Sequence, residues 1–529
     1  MTRETGGRPT GATDEEPPES AATGRRGLDW PSRDLLSYRT AATPDRRAVV
    51  DVATGREWSY REFDDTVAGT AAALEKSLTW MDVADSRPRI ALLASTRPAF
   101  VAAFHAGLRT GARLAPLNVR LAKPQLRERI ERVDPDLLVC ERDTESAGRE
   151  AAGCPVVSLD TPVAADVERL PTVDRTDGAG TAVEPARWER DETALLLFTS
   201  GTTGEPKCVR LTLGNLVSSA SAAAFRLGVA PGDRWLDCLP VYHTGGLAPL
   251  VRCPLYGTTL LVQGGFEAGR TADAMADRAA TGVSLVPTQL HRLLAGGWRP
   301  PDSLGTVLLG GAPADPALVE RALDAGVPVY PTYGLTEAAS QVATATPALA
   351  REYPASVGQP LVVTTVTVLA DGAPVDPGET GELVVDGPTV TPGYLDPERT
   401  AAAFGEYGLR TGDIGYRDAD GRLWVLGRAD DTIVTGGENV HPSAVEPALC
   451  EHPGVAEAAV VGVPDEEWGQ RVGAVVVASG DVTAGGLQEF ARERLAGYEI
   501  PRTIRFADEL PRTHSGTVDR AAVRELLEG

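Results

Sequence analysis

The sequence predicts an α/β fold, with a large N-terminal region of α/β units and a small β unit, followed by a smaller α+β region. Three successive sequence patterns along the chain support this prediction. Up to about residue 362, helical stretches (60–78 and 98–110) alternate with short apolar strands (89–94 and 136–140), which is typical of parallel sheets covered by helices. Short strands with Asp-Gly and Pro-Gly turns follow at 366–375 and 381–385 and indicate a small β-barrel or meander. After Asp430, helices and strands mix again over about 100 residues, the size of a separate domain.

Composition predicts the domain boundaries. Residues 1–28 are rich in Gly, Pro, Thr and Glu and lack the apolar stretch of a signal peptide, so we expect a disordered tail. We expect an N-terminal domain at 29–429 and a C-terminal domain at 430–529. Within the first, the polar, acidic segment 171–192 is expected to separate one α/β unit from the next, which carries the loop described below.

The charge balance narrows the class of partner. Asp and Glu number 74 against 51 Lys and Arg, which gives a formal net charge of −23. Such a chain repels nucleic acid and anionic membrane surfaces. No apolar run approaches the about 18 residues that span a bilayer, and the six cysteines show no metal-binding spacing. We therefore expect a cytoplasmic protein with reduced thiols, no membrane insertion and small-molecule substrates. The sequence predicts no particular oligomeric state.

Residues 198–207, Phe-Thr-Ser-Gly-Thr-Thr-Gly-Glu-Pro-Lys, have the composition of a phosphate-binding loop. Glycines let backbone N–H groups approach an anion, hydroxyls add donors, and the chain has only three lysines, one of which ends this loop. The apolar residues 194–198 before it predict a strand, and α/β sheets place ligands at strand ends. An ordinary turn rich in Gly, Ser and Thr is the alternative. The residues predicted to hold phosphate are Thr199, Ser200, Gly201, Thr202, Thr203, Gly204 and Lys207.

Four further motifs offer groups that a nucleotide needs. An aromatic ring, a hydroxyl and a carboxylate stand together after a predicted strand in Tyr333-Gly334-Leu335-Thr336-Glu337, and suit adenine stacking, phosphate contact and Mg²⁺. Gly310-Gly311-Ala312 offers a turn with exposed backbone groups, and Asp413 offers a carboxylate suited to a ribose diol. Arg428, which is followed by acids and by Gly436-Gly437, offers a cation. Each motif alone is equally compatible with an ordinary turn or cap.

In order and spacing, these motifs resemble the adenylate-forming superfamily of acyl-CoA synthetases, peptide-synthetase adenylation domains and luciferases. The resemblance runs from Trp58-Ser59-Tyr60 to His514-Ser515-Gly516 and so covers nearly the whole chain. It implies a large domain of two α/β subdomains and a β-barrel, closed over by a mobile C-terminal domain. It also implies ATP, Mg²⁺ and CoA as cofactors and a small-molecule carboxylic acid as substrate.

The resemblance implies roles for particular residues. Lys207 and its loop would handle the outer phosphates, and Thr336 would contact the α-phosphate. Glu337 would hold Mg²⁺. The adenine and ribose would be bound by Tyr333, Gly334, Gly310, Gly311, Ala312, Asp413 and Arg428. Asp430 would be the hinge, and Gly436 and Gly437 would line the pantetheine arm. Such enzymes need no nucleophile of their own, because a carboxylate activated as its adenylate is attacked directly by a thiol.

One branch of the superfamily is similar to this chain in several short stretches of sequence. Residues 239–247, 286–294 and the run Glu337-Ala338-Ala339-Ser340-Gln341 look most like the o-succinylbenzoate–CoA ligases of menaquinone synthesis. This resemblance implies o-succinylbenzoate as substrate, with His243 gating the carboxylate entrance or packing over the ring. A buried structural histidine is the alternative for His243. Other readings are another aryl- or fatty-acyl-CoA ligase, an adenylation domain that serves a carrier protein, and a catalytically lapsed homologue that binds nucleotide or acyl groups.

The chain departs from the family pattern at Thr517. The family places there a lysine that reaches the substrate carboxylate and the α-phosphate. We expect adenylation to proceed without that cation, or with Arg512 or Arg520 in its place.

Overall fold

The computed structural model describes residues 32–78, 87–172, 183–199, 206–465, 467–512 and 518–529, so the predicted tail lies outside the described residues. The helices are α1 (Leu35–Ala42), α2 (Tyr60–Leu78), α3 (Pro98–Arg109), α4 (Lys123–Val133), α5 (Glu145–Ala151), α6 (Leu213–Leu227), α7 (Thr244–Tyr256), α8 (Ala268–Asp277), α9 (Pro287–Ala295), α10 (Pro316–Asp324), α11 (Pro347–Glu352), α12 (Pro397–Ala403), α13 (Pro442–Cys450), α14 (Ala484–Arg492) and α15 (Arg520–Glu528). Single 3₁₀ turns cover Arg142–Thr144, Thr336–Ala338 and Ala429–Asp431.

The strands of the N-terminal part are β1 (Arg47–Asp51), β2 (Glu57–Ser59), β3 (Arg89–Leu93), β4 (Arg113–Pro116), β5 (Leu137–Cys140), β6 (Val156–Ser158), β7 (Glu168–Arg169), β8 (Thr193–Thr199), β9 (Lys207–Thr212), β10 (Arg234–Asp237), β11 (Thr259–Val262), β12 (Gly282–Leu285), β13 (Thr306–Leu309), β14 (Val329–Leu335), β15 (Ser340–Thr344) and β16 (Gln359–Pro360). Those that follow are β17 (Thr365–Ala370), β18 (Ala373–Pro374), β19 (Gly381–Asp386), β20 (Phe404–Gly405), β21 (Gly408–Arg417), β22 (Leu423–Arg428), β23 (Ile433–Thr435), β24 (Glu438–Val440), β25 (Val455–Asp465), β26 (Gly469–Ala478) and β27 (Thr503–Ala507).

Two large, mostly parallel sheets form the N-terminal part. One has the order β7-β6-β5-β3-β4-β8-β9 and is parallel except for β9, which runs antiparallel to β8. The other has the order β16-β15-β14-β13-β12-β10-β11-β1-β2 and is parallel from β14 to β1. These sheets, covered by helices, confirm the predicted α/β class.

The division between the two units differs from the prediction. Strands β8 and β9, which flank the phosphate loop, belong to the same sheet as β3 to β7, so segment 171–192 does not separate that loop from the first unit. The described end of this segment is fastened to the fold. Trp188 is buried and its indole donates to the carbonyl of Leu108 at 3.0 Å, and Glu192 pairs with Arg87 at 2.6 Å. The polar composition was misleading because one buried indole and one ion pair anchor the segment.

Helix α2 shows how the local sequence determines an element. Its start is a reciprocal cap, because Glu62 accepts the backbone N–H of Ser59 at 2.7 Å while the Ser59 hydroxyl accepts from the backbone of Glu62 at 3.2 Å. Its buried positions recur every three or four residues, at Tyr60, Phe63, Val67, Thr70, Ala71, Leu74 and Leu78. The prediction for 60–78 is therefore confirmed at both ends.

A layer of helices joins the two sheets. One hydrophobic cluster contains side chains of both sheets together with residues of α1, α2, α3, α6 and α7. All twelve residues of α3 are buried, including Arg109, which pairs with Asp34 at 3.1 Å and also with Asp64. Burial on every side of α3 explains why this arginine needs two carboxylates.

The C-terminal half contains two smaller sheets. Strands β17 to β22 form a curled antiparallel sheet, which is the β unit that the sequence predicts. Strands β23 to β27 form a second sheet that packs with α13, α14 and α15 into an α+β unit. The domain boundaries at 429 and 430 stay predictions. Among the described helices, none is both long and apolar enough to cross a membrane.

Asp237 is a buried carboxyl group in the core of the nine-stranded sheet. It is 2 % exposed, and neither side-chain oxygen has a hydrogen-bond partner among the described residues. Burial raises the pKa of Asp237 well above its ordinary value, because the charged carboxylate would lie away from water. The folded protein thus retains a proton that the unfolded chain releases.

We expect Asp237→Asn to remove a pH-dependent loss of stability. Because the folded pKa is raised, the stability that protonated Asp237 contributes is complete below the unfolded pKa and falls as pH rises, by about 1.4 kcal/mol per pH unit until the folded pKa is reached. Denaturant unfolding at roughly pH 5, 6 and 7 should show the variant gaining stability relative to the wild type as pH rises. Exposed Asp302→Asn is the control, and a constant difference across this range would contradict the expectation.

Candidate active site

The predicted phosphate loop connects two antiparallel strands. Thr199, the last residue of β8, stands opposite Lys207, the first residue of β9. The intervening positions Ser200, Gly201, Thr202, Thr203 and Gly204 lie outside the described residues. The Lys207 ammonium lies 5.4 Å from the centre of the Tyr394 ring, where the face of the ring attracts a cation.

Glu337 lies close to Lys207, on the 3₁₀ turn that follows β14. Its Oε1 accepts the hydroxyl proton of Tyr394 at 3.0 Å, and its backbone carbonyl accepts from Thr391 at 2.7 Å. Burial raises the pKa of Glu337, and the Tyr394 hydroxyl, Lys207 and Arg428 act in the opposite direction. Glu337 and Lys207 thus contact the same tyrosine, and Thr336 precedes Glu337 on the 3₁₀ turn.

Tyr333, Asp413 and Arg428 form a second cluster. The Tyr333 hydroxyl donates to Asp413 Oδ2 at 2.5 Å, and Arg428 Nη1 donates to Asp413 Oδ1 at 3.0 Å and to the carbonyl of Thr411 at 2.9 Å. Burial raises the pKa of Asp413 despite these partners. Three residues distant in sequence, on β14, β21 and β22, are therefore in direct contact. Arg428 Nε is buried and has no acceptor among the described residues.

The glycine positions have steric reasons of their own. A Cβ on Gly334 would lie 1.9 Å from the carbonyl oxygen of Ser340, and one on Gly310 would lie 2.5 Å from Thr332. Gly311 has φ +80°, a left-handed conformation that favours glycine. Gly310, Gly311 and Ala312 follow β13, which pairs in parallel with β14, so this turn and Tyr333 lie at the same edge of the sheet.

His243 precedes α7 and lies edge-on to Tyr242, with ring centres 4.8 Å apart. Its Nε2 is buried without a hydrogen-bond partner among the described residues, and burial lowers the pKa of the imidazole. The ring is thus neutral at pH 7, and one nitrogen is available to a ligand. Its predicted role stays a prediction.

The C-terminal residues make contacts within their own unit. Gly436 and Gly437 form the turn between β23 and β24 with φ +61° and +89°, and Gly436 N–H donates to the carbonyl of Trp468 at 3.0 Å. Asp430 lies in the 3₁₀ turn after β22. Its role as hinge is not decided by these contacts.

Both arginines that could replace the missing lysine form ion pairs in this structure. Arg520 pairs with Glu446 at 2.8 Å and with Asp431 at 3.3 Å, and Arg512 pairs with Glu457 at 3.0 Å. Thr517 lies outside the described residues. A substituting role would require one of these ion pairs to break.

Sequence reasoning missed Arg252, which is buried in α7. It is 5 % exposed, and its Nη2 donates to Gln341 Oε1 at 2.8 Å and to Ser340 Oγ at 3.4 Å. Among the described residues no carboxylate pairs with it, and burial lowers the pKa of its guanidinium. The detectable signal was an arginine in the otherwise apolar stretch from Leu247 to Leu255.

Arg252 lines a small pocket behind the Glu337 turn. The other lining residues are mostly apolar or small and include Thr244, Leu247, Ser219 and Ala339. The pocket has room for about one water molecule, about 10 Å³. It therefore suits the tip of an anionic group rather than a whole ligand.

Tyr394 was also missed. It follows Pro392-Gly393 in a stretch that reads as an ordinary turn, and nothing in the local sequence shows that its hydroxyl reaches Glu337. Among the described residues no group of three or more His, Cys, Asp or Glu side chains could hold a metal ion, so Glu337 is a single carboxylate ligand candidate.

The structure thus contains two clusters, one of Lys207 and Glu337 and one around Asp413, and their roles in nucleotide binding stay predictions. The chain belongs to the AMP-binding enzyme family, whose profile matches residues 36–395, with the C-terminal domain of that family matching 444–517. The 2-succinylbenzoate–CoA ligases of Bacillus velezensis and Bacillus licheniformis are 37 % and 36 % identical, over 93 % of this chain and 98 % and 99 % of theirs.

Solved structures agree with this assignment. The o-succinylbenzoate CoA synthetase from Bacillus subtilis, bound to its acyl-adenylate intermediate, matches with a TM-score of 0.85 at 32 % identity over 93 % of this chain and 98 % of that one. ATP-bound MatB from Rhodopseudomonas palustris matches with a TM-score of 0.84 at 28 % identity, over 93 % and 98 %. The predicted superfamily, and its branch as a resemblance, are confirmed.

We expect Gly334→Ala to destabilise the fold around Tyr333. The added methyl would overlap the carbonyl of Ser340, so β14 and β15 must separate, at a cost of about 1–3 kcal/mol. Gly153→Ala is the matched control, because nothing lies within 4 Å of its Cβ position. Denaturant unfolding of the two variants checks this, and equal stability would show that the strand pair adapts without strain.

Proposed function

We propose that the protein is an ATP-dependent acid–thiol ligase that activates o-succinylbenzoate as its acyl-adenylate and transfers the acyl group to CoA. The single observation that carries the choice of substrate is Arg252, a buried cation without a carboxylate partner beside the Glu337 turn. A substrate with two carboxylates suits this site, because one is activated at the phosphates while the other neutralises the arginine.

The two clusters account for nucleotide binding. Lys207 offers a compact charge to the outer phosphates, and Tyr333, Asp413 and Arg428 hold the adenosine end. Glu337 has one carboxylate oxygen bonded to Tyr394, which leaves the other for a cation. This single oxygen suits Mg²⁺, which commonly takes one or two carboxylates together with substrate phosphates. When bound, Mg²⁺ would neutralise charge on the leaving pyrophosphate.

The residues around Arg252 support binding of the second carboxylate. Gln341 accepts from the guanidinium and in turn donates to Thr344 at 2.7 Å, which fixes its amide. His243, neutral and adjacent to Thr244 of the pocket wall, is suited to the face or edge of an aromatic ring. Adenylation then depends on alignment of the free carboxylate with the α-phosphorus near Thr336.

The C-terminal unit provides the second step. Trp468 is 36 % exposed beside Gly436, and the Arg502 guanidinium lies 4.4 Å from the centre of its ring. An indole face with a cation on it suits the nucleotide end of CoA. Reorientation about Asp430 would bring the Gly436-Gly437 turn to the pantetheine arm.

We place the protein in the cytoplasm, where ATP and CoA are available. Its six cysteines are free, and burial raises the pKa of each thiol. Unpaired, protonated thiols suit a reducing compartment.

Pyrophosphate release with a panel of carboxylic acids tests the proposal. We expect release with o-succinylbenzoate and a CoA thioester as product. Preference for a fatty acid or another aryl acid would identify a different ligase. Nucleotide binding without release from any acid would indicate a lapsed homologue.

We expect Arg252→Met to abolish discrimination between o-succinylbenzoate and benzoylpropionate, which lacks the ring carboxylate. The wild type should favour the dicarboxylate about 100-fold in kcat/KM, the effect of a buried charged hydrogen bond. Arg252→Lys keeps the charge and should keep part of the preference. An unchanged ratio in Arg252→Met would show that the guanidinium does not contact substrate.

We expect Glu337→Gln to raise the Mg²⁺ concentration for half-maximal pyrophosphate release about tenfold, because the amide keeps the shape but loses the charge. Exposed Glu320→Gln on α10 makes the same change of charge and should leave the metal requirement as it is. If the two variants respond alike, Glu337 is not a metal ligand.

A further inference from the structure

The segment 391–395 lies between Lys207 and Glu337. Leu395 donates its backbone N–H to the carbonyl of Cys208 at 2.8 Å, and Arg210 donates to Gly393 at 3.0 Å, so the segment is paired with β9. Thr391 donates to the backbone of Glu337 at 2.7 Å. The backbone of this segment thus links the strand that begins with Lys207 to the turn that carries Glu337.

Tyr394 makes one contact with each of the two charged side chains. Its hydroxyl donates to Glu337 Oε1 at 3.0 Å, and its ring lies below the Lys207 ammonium at 5.4 Å. The residue is 4 % exposed, and its backbone N–H donates to Thr400 Oγ1 at 2.9 Å, so its position is fixed.

We propose that Tyr394 is a positioning residue that holds Glu337 and Lys207 apart and orients each toward the metal-bound triphosphate. This inference rests on the proposed function. Neither the sequence motifs nor the family roles described above assign a role to Tyr394.

The physical reason lies in the opposite charges of the two groups. An ammonium and a carboxylate on neighbouring elements would otherwise pair, and each would lose the charge that its ligand needs. A tyrosine prevents this because its hydroxyl occupies one carboxylate oxygen and leaves the second open. Its ring attracts the ammonium without taking any of the three N–H donors that a phosphate requires.

Two variants separate the hydroxyl from the ring. Tyr394→Phe keeps the ring and removes the hydrogen bond to Glu337, whereas Tyr394→Leu removes both contacts. ATP affinity is measured by calorimetry for each variant, once with excess Mg²⁺ and once with EDTA. Pyrophosphate release gives the Mg²⁺ requirement, the KM for ATP and kcat.

For Tyr394→Phe we expect the gain in ATP affinity from Mg²⁺ to fall about fivefold or more, with affinity in EDTA unchanged. The half-saturating Mg²⁺ concentration should rise in parallel, while the KM for ATP at saturating Mg²⁺ stays within about twofold of the wild type. For Tyr394→Leu, affinity in EDTA should also fall, because Lys207 is no longer held.

Tyr60→Phe is the matched control. The Tyr60 hydroxyl donates to the carbonyls of Cys253 and Thr258 at 2.9 and 2.7 Å, so its loss removes buried hydrogen bonds elsewhere in the fold. That variant should lose stability without any change in the metal effect. A Tyr394→Phe protein with an unaltered metal effect would overturn the inference while leaving the proposed function intact. A wild type that binds ATP equally with and without Mg²⁺ and releases no pyrophosphate would overturn both.

Discussion

The hydrogen bond from Tyr333 to Asp413 is the contact on which the candidate site depends, because it adds a buried polar link to the apolar packing between two sheets. Tyr333 comes from β14 of the nine-stranded parallel sheet, and Asp413 from β21 of the curled antiparallel sheet. Arg428 completes the link from β22. Three polar groups from three strands hydrogen-bond to one another, and the buried Asp413 carboxylate would be costly without these partners. These hydrogen bonds and the ion pair therefore help to fix the curled sheet against the edge of the nine-stranded sheet.

The fold was largely predictable where one local signal acted alone. Helix α2 has a capping pair and a regular buried stripe, and both ends were predicted. The assignment of the phosphate-loop strands failed because it depends on strand order, which local composition does not encode. Parallel neighbours in a sheet are far apart in sequence, as with β4 and β8. The acidic segment before β8 looked like a boundary because its anchoring indole, Trp188, is one residue among many polar ones.

The candidate site divides in the same way. Residues in recognisable motifs, such as Lys207, Glu337 and Asp413, were found from the sequence, and the structure brings Tyr333, Asp413 and Arg428 into contact. Arg252 and Tyr394 were not predicted, because the partner that each contacts is distant in sequence. An arginine inside an apolar helix is a usable signal in retrospect, whereas a tyrosine after Pro-Gly carries none.

Two ion pairs, made by Arg428 and Asp431, would limit how far the small unit could turn about the predicted hinge. Arg428 is tied to Asp413 in the large part, and Asp431 is tied to Arg520 in the small part, so only Ala429 and Asp430 separate the two anchors. The hydroxyl of Thr432 donates to the carbonyl of Arg428 at 3.3 Å. This hydrogen bond would have to break if the small unit rotated. The predicted hinge is therefore two residues long, and an ion pair made by an arginine lies at each end of it.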